Sequence, residues 1–220
     1  MATEAEIQNA NRVVDQWFLG KTSKHHESGN AGPAAISSGH GDHGGISYGS
    51  YQLASNTGTL ALYLKVTNNY HGAFDGLTPK TPAFDAKWRD LATHDPKFHE
   101  SQHDFIASRH YQPLSERLTA VGYDFSSRGR AVQDMIWSTA VQYGGGSSTV
   151  DKFRRAEKES QLDFSVATDK EIITAVQDSK YRHYQEDFQS SHGNWKGISN
   201  RKKKKKNSLI RLSEQEQIVN

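Results

Sequence analysis

The feature that most constrains this chain is an early break in its periodicity. Glu27 to Gln52, ESGNAGPAAISSGHGDHGGISYGSYQ, holds seven of the 18 glycines, while the sequence on either side carries apolar residues at helical spacing. Each glycine inside a helix costs about 1 kcal/mol relative to alanine, so a helix does not survive such a run. Short alternating pieces such as Ile46 and Tyr48 suit a small β-hairpin instead. The chain therefore reads as a helical body interrupted near its start by loops and one hairpin.

Before the break, Thr3 and Glu6 have capping-box spacing, and Ile7, Ala10, Val14, Trp17 and Phe18 share one helical face up to Gly20. This predicts a first helix over about residues 4–19. After it, the patterns predict helices over roughly 56–68, 82–93, 96–109, 113–121, 127–142, 148–159 and 169–187. Thr81 as N-cap and Pro82 in the first turn mark one start, and Gly122 and Gly144 to Gly146 punctuate the series. Leu60, Leu62, Leu64, Ile136, Trp137 and Val141 are the expected core.

With 220 residues the chain can bury one sizeable core, which the absence of cysteine requires it to do without disulfides. The 4 Trp, 9 Tyr and 9 Phe supply large apolar area for it. No run is long and apolar enough to span a membrane, and MATEAEIQNANRVVDQW places acids where a signal peptide needs a basic flank, so Sec-type export is not expected. The formal charge of +2 depends on one run, Arg201 to Lys206. Those six positive charges removed, the remainder carries −4, which excludes an argument for a nucleic-acid-binding body. The run itself reads as a solvated tail, or as a patch for a nucleic acid or another polyanion.

The glycine-rich window contains only two acids, Glu27 and Asp42, fifteen positions apart. Glycosidic hydrolysis needs one carboxylic acid to protonate the leaving oxygen and one carboxylate to activate water or attack the sugar carbon, so this pair is the candidate catalytic set. Taken singly, Asp42 also fits an Asx-turn and Glu27 a surface acid. Ser38, Ser47, Tyr48, Tyr51 and Gln52 are candidate sugar contacts through hydroxyl and amide hydrogen bonds and ring stacking. His25, His26, His40 and His43 surround the acids and raise a zinc-peptidase alternative, yet His26-Glu27-Ser28-Gly29-Asn30 lacks the second histidine of H-E-x-x-H. No metal or other cofactor is expected. A thiol nucleophile is excluded by composition, and Ser47-Tyr48-Gly49-Ser50 is not a G-x-S-x-G elbow.

Glu27-Ser28, then Gly39-x-Gly41-Asp42-x-Gly44, then Tyr48-Gly49-x-x-Gln52 resembles the signature of goose-type lysozymes and, more loosely, of lytic transglycosylases. Over roughly residues 5–190, including FDAKWRDLA and VQDMIWSTAVQYG, the chain is similar to the C-terminal muramidase domain of type VI secretion spike (VgrG) proteins. That resemblance implies a mainly α, lysozyme-like domain of two lobes over about residues 1–195, with a small β-hairpin beside a cleft. The remainder, 196–220, is expected to be a basic, flexible tail. It also implies hydrolysis of the β-1,4 bond between N-acetylmuramic acid and N-acetylglucosamine by Glu27 and Asp42. The implied setting is a rival cell's periplasm reached by type VI delivery without a signal peptide. The expected partners are peptidoglycan glycan strands and a cognate immunity protein, with no nucleic acid and no membrane span. A wall-binding or nucleic-acid-binding module without catalysis is the non-enzyme alternative. Goose-type enzymes can carry a further Asp past the hairpin glutamine; here Leu53 and Ala54 stand there.

Overall fold

The computed structural model describes residues 2–22, 32–40, 44–67, 70, 72–188 and the backbone of 195–219, the last with side chains at 200 and 202–219. Two compact units emerge. One combines residues 1–26 with 110–220, and the other is the continuous segment 27–109.

The continuous unit contains the only two strands among the described residues, β1 (Ser47–Tyr48) and β2 (Leu53–Ala54), paired antiparallel with Ser47 opposite Ala54 and Tyr48 opposite Leu53. Its helices are α2 (Thr59–Val66), α3 (Pro82–His94) and α4 (Pro96–Ile106). Thr81 caps α3 by accepting from the Phe84 amide, with Pro82 in the first turn. Asp95 ends α3 and caps α4 through the Lys97 amide. The core is aromatic. The Trp88 ring lies 5.2 Å from Tyr48, 5.9 Å from Tyr63 and 4.8 Å from Phe98, centroid to centroid. Such pairs add about 0.5–1.5 kcal/mol each beyond their burial. In α2 it is Leu60 and Tyr63 that are buried, whereas Leu62 and Leu64 are only half-buried.

A π-helical turn, Ala107–Tyr111, follows α4, and the boundary between the units falls within it. Beyond come α5 (Gln112–Ala120), α6 (Arg130–Tyr143), α7 (Ser147–Ser160), α8 (Asp169–Arg182), the short α9 (Tyr184–Asp187) and α10 (Trp195–Val219). Helix α1 (Glu4–Asp15) opens with the expected capping box, Thr3 with Glu6. It stops four residues before the expected end and turns a different face inward: Ala10 is buried and Val13 and Trp17 pack on the core, while Ile7 and Phe18 are exposed. Helix α6 lies at the centre, with Val132, Met135, Ile136 and Trp137 buried. Val141 is half-buried.

The C-terminal segment departs from the expected flexible tail. It is the long helix α10, packed against α1, α6 and α8, with Leu209 and Leu212 in the core. The lysine run lies on it, and its stems are partly inside. Lys202 and Lys205 are buried; Lys202 Nζ donates to the Tyr143 hydroxyl at 3.0 Å, and Lys206 pairs with Asp178 at 2.6 Å. Long lysine side chains cover apolar surface with their methylenes, so a charge run does not by itself make a tail. Burial pushes the Lys202 ammonium down to about 7, with Lys205, Lys152 and Arg155 adding repulsion and Asp187 opposing it.

Helix α10 also completes the start of α6. Gly129, the residue before α6, offers no side-chain cap, and the first amides of α6 are answered from elsewhere. Glu216 accepts from the Arg130 amide at 2.6 Å and the Ala131 amide at 3.1 Å, while Asp169 accepts from the Gly129 amide at 2.8 Å. Carboxylates at a helix N-terminus satisfy its orphan donors and suit its dipole.

Candidate active site

The chemistry-bearing window is built on the hairpin. Ser55 N–H donates to Ile46 C=O and Asn56 N–H to Gly44 C=O, which extends the β1–β2 ladder outward beyond the two strands. A Cβ on Gly39 would lie 2.7 Å from the Ile46 nitrogen, so these two backbones approach too closely for any side chain at 39. On the other side the Ser37 amide donates to Ser47 C=O, and the Ser47 amide to Ser37 Oγ.

The hairpin turn is fixed by a residue from α4. Gly49 has φ +76°, a left-handed conformation that L side chains rarely adopt, and its Cα faces the Gln102 amide. Gln102 is fully buried and accepts from the Ser50 amide at 3.1 Å. Tyr48 is fully buried too. Its hydroxyl donates to Asp85 at 2.8 Å and accepts from the Lys80 amide at 2.9 Å, and its ring packs on Phe84 and Trp88. Burial, then Asp85, pushes its phenol up to about 12. The expectation that Tyr48 stacks on a sugar is therefore corrected: with its ring enclosed and its hydroxyl engaged twice, it holds the hairpin to α3. Ser47, only 7% exposed, is likewise part of the scaffold.

Three of the expected contacts remain at the surface. Ser38 is exposed and its hydroxyl accepts from the His40 amide. Tyr51 is half-buried, its hydroxyl 2.7 Å from His103 Nδ1. Gln52 is exposed at the end of the turn with φ +52°. Glu27 and Asp42 lie outside the described residues, as do His25, His26 and His43. Among the described residues no group of three or more His, Asp or Glu is placed to hold a metal ion.

The chain segment leading to Glu27 is anchored in the other unit by a carboxylate that no local motif marks. Asp134, on α6 and fully buried, accepts from the Gly20 amide at 2.7 Å, the Thr22 amide at 3.0 Å and the Thr22 hydroxyl at 2.5 Å. Burial raises its pKa, opposed by those hydrogen bonds. Gly20 itself has φ +84°, and a Cβ there would lie 2.6 Å from the Trp137 indole. The end of the α1 connection is thus clamped between Asp134 and Trp137, five residues before Glu27. Gln102 and Asp134 escape a sequence reading because each answers backbone amides that are 52 and over 110 residues away.

Residues 19–206 match the family described as "Type VI secretion system spike protein VgrG3-like, C-terminal". The chain belongs to that family. It is 37% identical over 203 residues to the type VI secretion system spike protein VgrG3 of Vibrio cholerae serotype O1, a match covering 92% of this chain and 19% of that protein. The chain thus spans about a fifth of the length of this relative. Among solved structures it is similar to a GH46 chitosanase of Gynuella sunshinyii in complex with chitotetraose, with a TM-score of 0.59 at 13% identity over 100% of this chain and 92% of that one. It is also similar to the native chitosanase of Bacillus subtilis MY002, with a TM-score of 0.60 at 15% identity over 99% and 92%. The fold is mainly helical with a two-stranded sheet, of the lysozyme-like kind these enzymes share.

Proposed function

We propose that this domain is a peptidoglycan hydrolase of muramidase type, an antibacterial effector delivered by type VI secretion into the periplasm of a target cell. The observation that carries the reading is the Glu27-Ser28 … Gly39-x-Gly41-Asp42 … Tyr48-Gly49-x-x-Gln52 pattern in a chain of this family, on a fold shared with glycoside hydrolases. Glu27 protonates the oxygen of the β-1,4 bond leaving N-acetylmuramic acid, and Asp42 activates the attacking water. Gly49, Gln102 and Tyr48 hold the hairpin, and Ser38, Tyr51 and Gln52 contact sugar hydroxyl and acetamido groups. Asp134 sets the backbone that leads to Glu27. The catalysis needs no metal. An immunity protein in the producing cell is the expected partner.

The test is digestion of purified peptidoglycan with product ends identified by mass spectrometry. The expected products carry reducing N-acetylmuramic acid, and Glu27→Gln or Asp42→Asn abolishes them by at least the roughly 10²-fold that acid–base catalysis supplies. Cleavage of chitosan with peptidoglycan left intact, or full activity in a folded Glu27→Gln variant, overturns the reading.

A further inference from the structure

Between α1 and α10 runs a groove of about 360 Å³, within the unit formed by residues 1–26 and 110–220. That volume falls in the range of small-ligand sites, about 300–1,000 Å³. Its apolar surface comes from Val13, Trp17 and Leu212, and its charged lining from Lys21 and Arg211. No carboxylate is among its described lining residues. The near side is closed by the Asn9 amide, which donates to Gln215 Oε1 at 3.3 Å and leaves the Gln215 amide nitrogen as a donor. Glu214, the acid next along α10, is occupied by Lys170 at 2.8 Å. Trp17 and Thr22 carry the groove to the point where Asp134 clamps the chain ahead of Glu27.

The chemistry asked of an occupant is therefore small apolar groups together with free carboxylates in excess of its ammonium groups, so that its net charge is negative. We infer that this groove binds a short anionic peptide, the alanine-containing, carboxylate-bearing stem peptide of peptidoglycan, so that the enzyme holds a peptide-substituted strand at a second place besides its glycan site. The inference rests on the wall-hydrolase reading for the source of the peptide. The chemistry of the groove stands independently of it. Alanine methyls meet the Trp17, Val13 and Leu212 surface, and the carboxylates meet Arg211, Lys21 and the Gln215 donor. Guanidinium pairs with carboxylate in a planar, two-point contact that lysine does not make, which puts most of the selectivity on Arg211.

The test uses the full chain and the synthetic tetrapeptide L-Ala-γ-D-Glu-meso-diaminopimelate-D-Ala, titrated by calorimetry beside the same peptide with its carboxylates amidated. Arg211→Glu is the informative variant: the side chain is exposed and makes no hydrogen bond among the described residues, and a melting curve confirms that the variant is folded. The acidic peptide should bind the wild type and lose at least about tenfold in affinity on Arg211→Glu. It should lose a comparable amount as the screening length falls from about 30 Å at 0.01 M salt to about 3 Å at 1 M. The amidated peptide should bind weakly to both. On peptidoglycan, Arg211→Glu should raise KM and leave kcat unchanged, and cleavage of peptide-free glycan chains should not respond. No binding of the acidic peptide, equal binding by variant and wild type, equal binding of the amidated peptide, or equal slowing on peptide-free glycan overturns the inference. Acidic protein segments that outcompete the tetrapeptide overturn it in favour of a protein partner. A wild type that binds the tetrapeptide but cleaves no glycan sinks the hydrolase reading and leaves the peptide site standing.

Discussion

Replacing Gly49 by alanine puts a methyl group where the structure has no room. The new Cβ would lie 2.2 Å from Gln102 Oε1, 2.9 Å from its Cδ and 3.1 Å from Trp88 Cζ2, at a backbone φ of +76°. The left-handed conformation alone costs an L residue about 1–2 kcal/mol. Gln102 is fully buried and cannot swing into water, so its oxygen must leave the Ser50 amide; a buried N–H without a partner costs about 1–3 kcal/mol more. The expected loss is thus about 2–5 kcal/mol against a typical domain stability of about 5–15 kcal/mol. Urea unfolding followed by tryptophan fluorescence measures it. A double-mutant cycle with Gln102→Ala separates the two parts: once the amide is gone, Gly49→Ala should cost only the backbone part of about 1–2 kcal/mol. A loss below about 1 kcal/mol in the single variant, or an equal loss in both backgrounds, refutes the argument that Gln102 and Gly49 are fitted to each other.

Asp134→Asn keeps the shape but turns a donor toward the Thr22 amide and hydroxyl, and should cost about 1–3 kcal/mol in thermal or urea unfolding and lower hydrolysis with it; an unchanged melting curve would show that the clamp is not energetic. Lys202 loses its proton near 7 in the fold and near 10.5 when unfolded, so the unfolded chain holds more protons between those values and stability rises with pH across that window. Lys202→Met should remove that slope and stabilise the protein at neutral pH and below by about 1–4 kcal/mol, which unfolding free energies at several pH values will check. Truncation after Asn200 removes Leu209 and Leu212 from the core and Glu216 from the start of α6. At about 1.5–3 kcal/mol per buried leucine, plus the lost cap, it should unfold the unit that α10 completes, as read by far-UV circular dichroism. Glycan cleavage should persist after exhaustive chelation; activity lost to chelator and restored by zinc would favour metal-dependent chemistry instead.

The elements legible in the sequence are those whose signals are local. Thr3 with Glu6, and Thr81 with Pro82, fix helix starts because the cap is made by residues three apart, and both are found where expected. The hairpin was legible from the glycines, although its second strand, Leu53–Ala54, lies just beyond the window. Two misreadings have one cause: a side chain's chemistry does not say what surrounds it. Tyr48 has the chemistry of a sugar platform and the surroundings of a core residue. The lysine run looks solvated when its charges are counted, whereas Leu209 and Leu212 a few residues on give α10 an apolar stripe that the charge obscures. Gln102 and Asp134 were invisible for a different reason, since their backbone partners are set by tertiary contacts and leave no spacing to detect. Glu27 and Asp42 rest on the motif pattern, which is readable as a pattern and not as a geometry.

The packing of α10 on α1 brings Gln215 against Asn9, a contact spanning 206 positions, and this sets an order on synthesis. The segment 27–109 is continuous and can complete its aromatic core while the ribosome is still making the rest. The other unit cannot: α1 is made more than 170 residues before its partner helix α10 and waits for it, so the closing of this long loop comes late in the folding of the unit. Asp134 and the clamp on Gly20 and Thr22 belong to the late unit. A nascent chain therefore carries the finished hairpin well before it carries the frame around Gly20 and Thr22, and that frame is complete only once α10 has docked.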